Sequence, residues 1–210
     1  MGISFRRAGF LTSAFELEQL PPDTGAEIAF AGRSNAGKSS AINCLAGQKN
    51  LCKTSKTPGR TQLINFFELA PGCRLVDLPG YGFARVPKTL RAHWDRVLSR
   101  YLLERQSLRG LVIVVDIRRG ISDLDQALID MVGEGLPLHI LLTKADKLSR
   151  TAGRKSVSGA EKRLSGPWHS LSTLSIVNRQ GLDSLEQRCR SWLETGDVLE
   201  AEEQRKNPGR

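Results

Sequence analysis

Short apolar runs separated by glycine- and proline-bearing turns alternate along this chain with stretches whose apolar residues recur every three or four positions. Glu27-Ile28-Ala29-Phe30-Ala31 has the length and character of a buried strand. A glycine-bearing loop comes next, and then a predicted helix from Lys38 to Leu45. Apolar runs at 62–69 and 73–78, split by Pro71-Gly72, predict a two-strand hairpin. Within 90–105, Leu90, Trp94, Val97, Leu98, Tyr101 and Leu102 fall at helical spacing, with arginines at 91, 96, 100 and 105 directed to water. Strand and helix then alternate: strand 111–116, helix 123–132, strand 138–143, a polar helix within 158–165, strand 171–175 and helix 182–193. The expected fold is α/β in three layers, a mostly parallel sheet of about six strands with helices on both faces.

The turn cluster Pro21-Pro22-Asp23-Thr24-Gly25 sets residues 1–24 apart as an N-terminal extension, leaving 25–193 as the domain and the charged stretch 194–210 as a disordered tail. A chain of 210 residues, 40% of them apolar, suits one domain. The longest aliphatic run, Leu111-Val112-Ile113-Val114-Val115, is far short of the roughly 20 residues that a membrane span needs. Arg6-Arg7 resembles a twin-arginine signal, but Glu16 and Glu18 interrupt the adjoining stretch and no small-residue cleavage site appears; Arg6 also stands where a myristoylation site wants Ser or Thr. Cys44, Cys52, Cys73 and Cys189 match no metal or redox spacing and read as reduced structural thiols. The expectation is a cytoplasmic monomer with no membrane association.

Charge changes this picture. Thirty-one Lys and Arg against 22 Asp and Glu leave a formal charge of +9, which favours a polyanionic partner through phosphate contacts. Arg85, Lys88, Arg91, Arg96, Arg100, Arg105 and Arg109 form one candidate surface, although helical spacing spreads several of them around the axis, and a merely solvated helix fits as well. The Ser- and Gly-rich stretch 147–163 is a second, read as a mobile RNA-contacting loop.

The candidate chemistry begins at Gly32-Arg33-Ser34-Asn35-Ala36-Gly37-Lys38-Ser39, which fits GxxxxGK[ST] between a predicted strand and a predicted helix. Backbone N–H groups of such a loop and the positive helix end bind phosphates, Lys38 would neutralise the β- and γ-phosphates, and the Ser39 hydroxyl would ligate Mg²⁺. Asp77-Leu78-Pro79-Gly80 ends a predicted strand, placing an Mg²⁺-supporting carboxylate at Asp77 and an N–H for the γ-phosphate at Gly80. Thr143-Lys144-Ala145-Asp146 ends another. A carboxylate at Asp146 can accept from guanine N1–H and the 2-amino group, donors that adenine lacks, which makes the nucleotide GTP or GDP. Ser175, Ile176 and Val177, after the last predicted strand, are included by position as a further guanine contact.

These motifs, together with Thr54-Ser55-Lys56-Thr57-Pro58-Gly59-Arg60-Thr61-Gln62, Asp77-Leu78-Pro79-Gly80-Tyr81-Gly82-Phe83-Ala84 and Asp116-Ile117-Arg118 through Asp123, resemble the EngB family, bacterial P-loop GTPases implicated in assembly of the large ribosomal subunit and in cell division and septation. The resemblance implies that Thr61 ligates Mg²⁺ and contacts the γ-phosphate, with Gly59, Arg60, Gln62 and Leu63 around the nucleotide, and that 174–176 make the last guanine contact. Ile176 departs from the small or polar residue of the family pattern. Lys38, Thr61 and Asn35 are the candidate catalytic residues and Ser39, Thr61 and Asp77 the metal set; Asn35 is a candidate K⁺ ligand or an asparagine chosen for turn geometry, and a ribosomal activator in trans is the other candidate to complete the site. After Asp-Leu-Pro-Gly stands Tyr81 in place of a water-orienting glutamine, so slow intrinsic hydrolysis is expected. The competing reading is a cell-division protein whose nucleotide state gates protein contacts without the ribosome.

Overall fold

The computed structural model describes residues 3–52, 63–82, 88–164 and 169–206. Seven strands form one sheet: β1 (Gly9–Ala14), β2 (Ala26–Gly32), β3 (Ile64–Ala70), β4 (Cys73–Asp77), β5 (Leu108–Asp116), β6 (Leu138–Thr143) and β7 (His169–Leu174). Their spatial order is β1-β3-β4-β2-β5-β6-β7. Of these strands β3 alone runs against the others, pairing antiparallel with β1 and β4. Among the described residues five helices complete the layers: α1 (Lys38–Leu45), α2 (Lys88–Glu104), α3 (Asp123–Val132), α4 (Arg150–Glu161) and α5 (Leu182–Lys206).

Period-two alternation distributes each central strand between two cores. Ile28 and Phe30 of β2 and Val112 and Val114 of β5 face Ile42 and Leu45 of α1 and Leu185, Trp192 and Leu193 of α5. Ala29, Ala31, Ile113 and Val115 face Val97, Tyr101, Ile129 and Ala160 from α2, α3 and α4. Gly110 lets α5 approach β5, since a Cβ there would lie 2.2 Å from the Trp192 ring.

The sheet has one strand more than the expected six, and that strand lies in the segment read as an extension. Gly9, Phe10 and Leu11 of β1 are exposed at the sheet edge, so the strand carries no alternation to read. Before it, buried Phe5 lies beneath the Arg190 guanidinium, 5.6 Å from its ring centre, and Gln48 donates to Ala8 O at 2.7 Å. At the other end α5 continues past Leu193, through a stretch rich in the good helix formers Glu, Ala, Leu, Gln and Arg, to Lys206. The polar helix expected within 158–165 begins earlier: Ser149 caps α4 by accepting from Ala152 N, so residues 150–161 are a helix and not the mobile loop expected over 147–163.

A buried ionic cluster lies at the amino end of β2. The fully buried Glu27 carboxylate accepts from Arg74 at 2.9 Å, Arg105 at 2.7 and 3.0 Å, and the Tyr101 hydroxyl at 3.0 Å. Asp23 accepts from the backbone N–H groups of Gln106 and Ser107, tying the 21–25 turn to the start of β5. Arg105, counted among the candidate RNA-facing arginines, therefore turns inward; its side chain is 6% exposed. All four cysteines are free thiols.

Candidate functional site

The parallel strands end together. Phe30 pairs with Asp77, Gly32 with Val114, Asp116 with Thr143, and Thr143 with Leu174. Gly32, Asp77, Asp116, Thr143 and Leu174 consequently lie along one carboxyl edge. The neighbours of β2 are β4 on one side and β5 on the other, so the chain reverses direction across the sheet at β2, the place where a crevice opens in such folds.

The loop from Gly32 to Ser39 sits in that crevice, between β2 and α1. Gly32 must be glycine because a Cβ would meet Val114 O at 2.6 Å. Asn35 and Gly37 have φ of 63° and 107°, and Ala36 N donates to Arg33 O at 3.0 Å, closing the turn. Gly37 caps α1, whose first N–H groups and positive dipole end face the crevice, the arrangement that receives phosphate. The Thr143 hydroxyl shares its proton between Ala36 O and Val115 O, pinning the loop to β5 and β6.

Lys38 is ion-paired with the Asp77 carboxylate, and Ser39 lies next to it in the first turn of α1. After Asp77, Leu78 N donates to Phe30 O at 3.0 Å. Pro79 and Gly80 come next, a Cβ on Gly80 falling 3.5 Å from Ser34 N. Tyr81 N then donates to Gly32 O and Tyr81 O accepts from Ser34 N, so the segment is zipped along the phosphate loop. The Tyr81 hydroxyl reaches Asp125 Oδ1 at 2.6 Å, while Asp125 Oδ2 accepts from the N–H and hydroxyl of Ser122. Burial and the Asp125 charge push the phenol far above its ordinary range. The oxygen donors of Ser39 and Asp77 suit Mg²⁺, a hard cation that commonly takes few protein ligands and completes its shell with phosphates and water.

The other half of the crevice is built from β5, β6 and β7. Lys144, at φ 60°, donates to Asn35 O at 2.7 Å and to Asp116 Oδ2 at 2.9 Å, bridging the phosphate loop and the 143–146 segment. Hydrogen bonds from Arg118, with Lys144 beside it, hold the Asp116 carboxyl well below the usual carboxylate range. Asp146 stands after Ala145 at the exposed rim. Its Oδ1 accepts from the Ser175 hydroxyl at 3.0 Å and its Oδ2 pairs with Lys147 at 3.3 Å. Desolvation raises its pKa, but these partners outweigh that and hold the carboxyl low.

Ser175 is fully buried and its N–H donates to Gln180 O, whereas Ile176 is 46% exposed. Gly59, Arg60, Thr61 and Gln62 lie outside the described residues, and Leu63 is exposed just before β3. Asp125 escaped the sequence reading as a site residue; its signal is the capping box Ser122-x-x-Asp125 at the start of α3. No group of three or more His, Cys, Asp or Glu gathers as a metal cluster among the described residues. No helix among them is long and apolar enough to cross a membrane.

Comparison with known proteins places this crevice in context. A family model described as a 50S ribosome-binding GTPase matches residues 27–144. The chain is 51% identical over 195 residues to the "Probable GTP-binding protein EngB" of Glaesserella parasuis, covering 91% of this chain and 93% of that protein. Its counterpart in Pasteurella multocida is 50% identical, with 91% and 95% covered. A crystal structure of a probable GTP-binding protein engB superposes with a TM-score of 0.66 at 23% identity, over 81% of this chain and all (100%) of that one. Era in complex with MgGDPNP and nucleotides of 16S ribosomal RNA does so at 0.61 and 16%, over 80% and 57%. These two superpositions speak to the fold.

Proposed function

Taking as premise that the chain belongs to the EngB family of GTP-binding proteins and is a P-loop GTPase, we propose that it works as a slow, Mg²⁺-dependent switch in assembly of the large ribosomal subunit. Hydrolysis of GTP to GDP and phosphate would release it from a pre-ribosomal particle in the cytoplasm. Normal division and septation would then depend on it through ribosome supply.

The observation that carries the guanine half of this reading is the Asp146–Ser175 contact at the crevice rim. It fixes one carboxylate oxygen and orients the carboxylate for the paired N–H donors of guanine, where a neutral acceptor would discriminate less. Lys144 couples that rim to the phosphate loop through Asn35 O. Lys38 would exchange Asp77 for the β- and γ-phosphate oxygens, and Asp77, Ser39 and Thr61 would hold Mg²⁺, which when bound neutralises charge developing on the phosphates. The Gly80 N–H would meet the γ-phosphate. Nothing among these groups is a general base, and Tyr81 is already engaged, so turnover rests on positioning and charge. We assign the missing stabilisation to K⁺ at the Asn35 carboxamide, with a ribosomal activator in trans as the second source.

The ribosomal half is supported by the basic surplus and by the description of the matching family model. It is tested by binding the full chain to 50S, 30S and 70S particles with GDP or a non-hydrolysable GTP analogue at two salt concentrations. Tighter binding to 50S in the GTP state, weakened by salt, is expected. No nucleotide-dependent binding to any particle would overturn it and direct the search for a partner to the division machinery.

A further inference from the structure

We propose that the outward face of α4 is the surface on which this protein docks an RNA phosphate backbone; the choice of RNA over other nucleic acids rests on the proposed ribosomal role. From 147 to 164 the chain carries six cations, Lys147, Arg150, Arg154, Lys155, Lys162 and Arg163, against the single acid Glu161. The fold divides them by task. Lys147 pairs with Asp146, and Arg163 reaches back to Ile121 O and Asp123 at the start of α3. Arg150, Arg154, Lys155 and Lys162 are exposed, and none of them enters an ion pair among the described residues.

Helical geometry puts these four on one side. At 3.6 residues per turn they span an arc of about 140° and a length of about 18 Å, with Thr151 and Ser158 between them and Glu161 toward one margin. Ala160, Val157 and Leu164 adjoin this face on its Arg150 side and pack into or against the core, so the cationic face is held to the body of the protein. The residues between the cations are small and polar, leaving a rigid strand room to approach, with hydroxyls as further donors to phosphate. Neither an aromatic nor a large aliphatic side chain stands on this face, so it lacks the apolar wedge that seats a basic helix in a bilayer.

Three of the arginines after the second switch are spent differently; Arg85 and the side chain of Arg91 lie outside the described residues. Arg100 pairs with Glu104, Arg96 lies against His93, and Arg105 is buried on Glu27.

The test replaces Arg150, Arg154, Lys155 and Lys162 together by Gln, a good helix former, in the full chain. A charge-matched control replaces exposed Arg7, Arg96, Arg100 and Arg188. Binding to an RNA duplex is followed by anisotropy across a salt series, with GTP affinity and basal hydrolysis as checks on folding. The α4 variant is expected to lose at least about tenfold in affinity and about three units of the log K against log salt slope, with the control close to wild type and GTP binding unchanged in both. A wild-type slope in the α4 variant, an equal loss in the control, no RNA binding by the wild type, or binding to phosphatidylserine vesicles in its place would each overturn the proposal. RNA binding that depends on α4 without preference for 50S particles would sink the ribosomal reading alone; 50S binding that survives the α4 substitutions would sink only the docking surface.

Discussion

The Tyr81 hydroxyl donates to Asp125 Oδ1 at 2.6 Å, and through it the first residue after Asp-Leu-Pro-Gly is anchored to the amino end of α3. The Tyr81 backbone is bonded at the same time to Gly32 and Ser34, so side chain and main chain are both committed. Asp125 keeps its two bonds from Ser122 whatever happens to the phenol. The role this implies for Tyr81 is to hold the segment that carries Gly80, with no part in proton transfer.

Tyr81→Phe should therefore lower stability by about 1–2 kcal/mol, the usual cost of leaving a buried acceptor short of one donor. Basal GTP hydrolysis should stay within about twofold of wild type. Denaturant midpoints and single-turnover rates measure the two effects; a fall in rate of about tenfold or more would give the hydroxyl a catalytic role after all.

Asp146→Asn should turn base preference from GTP toward XTP. Replacing a charged acceptor by an amide loses a charge-assisted bond and leaves a guanine N–H facing an amide donor, so GTP affinity should drop about 100-fold. Competition binding with both nucleotides reads this directly. Unchanged GTP affinity would remove base recognition from this residue.

Asn35 adopts a left-handed backbone conformation at φ 63°, which already favours Asn or Gly there. Asn35→Gly preserves that conformation and deletes the carboxamide, separating turn geometry from cation binding. Hydrolysis by the wild type should be faster in KCl than in NaCl, and the glycine variant should lose that difference while keeping its GTP affinity. Equal wild-type rates in the two salts would end the K⁺ assignment.

His139, buried on β6, has its ring nitrogens 2.9 and 2.8 Å from the Ser170 and Ser172 hydroxyls of β7. Burial, with a smaller effect from Arg188, pushes its imidazole down to about 4 from an ordinary 6.5. The unfolded chain takes up this proton below pH 6.5 and the folded chain only near 4, so stability is full above 6.5 and falls between those limits. The loss should be about 3 kcal/mol at most. His139→Gln, which retains one donor and one acceptor, should flatten this window in a series of unfolding midpoints taken from pH 7 to about 4.5. An unaltered slope would assign the acid sensitivity elsewhere.

Much of the site was written locally. A phosphate loop needs glycine where backbone must approach a ligand or β5, and a lysine and a hydroxyl at the start of a helix, so Gly32 through Ser39 declares itself without any partner strand. Asp77 and Asp146 were likewise legible, because one ends an apolar run and the other follows one by three residues, and the ends of parallel strands share one edge of the sheet. The alternation of strand and helix set the fold class for the same reason: periodicity is a property of neighbours in sequence.

What tertiary structure alone decided is how charges and edges are used. The outer edge strand β1 has exposed apolar residues and no alternation, and only its pairing with β3 makes it a strand. Arg105 and Arg150 look alike in the sequence, yet one is sealed against Glu27 and the other faces water, since burial of a cation depends on a carboxylate contributed 78 positions away in the chain. The link from Tyr81 to Asp125 and the bridge from Lys144 to Asn35 span 44 and 109 positions. Contacts of that range arise from how sheet and helices pack against one another, and the packing becomes definite only when the whole chain has folded.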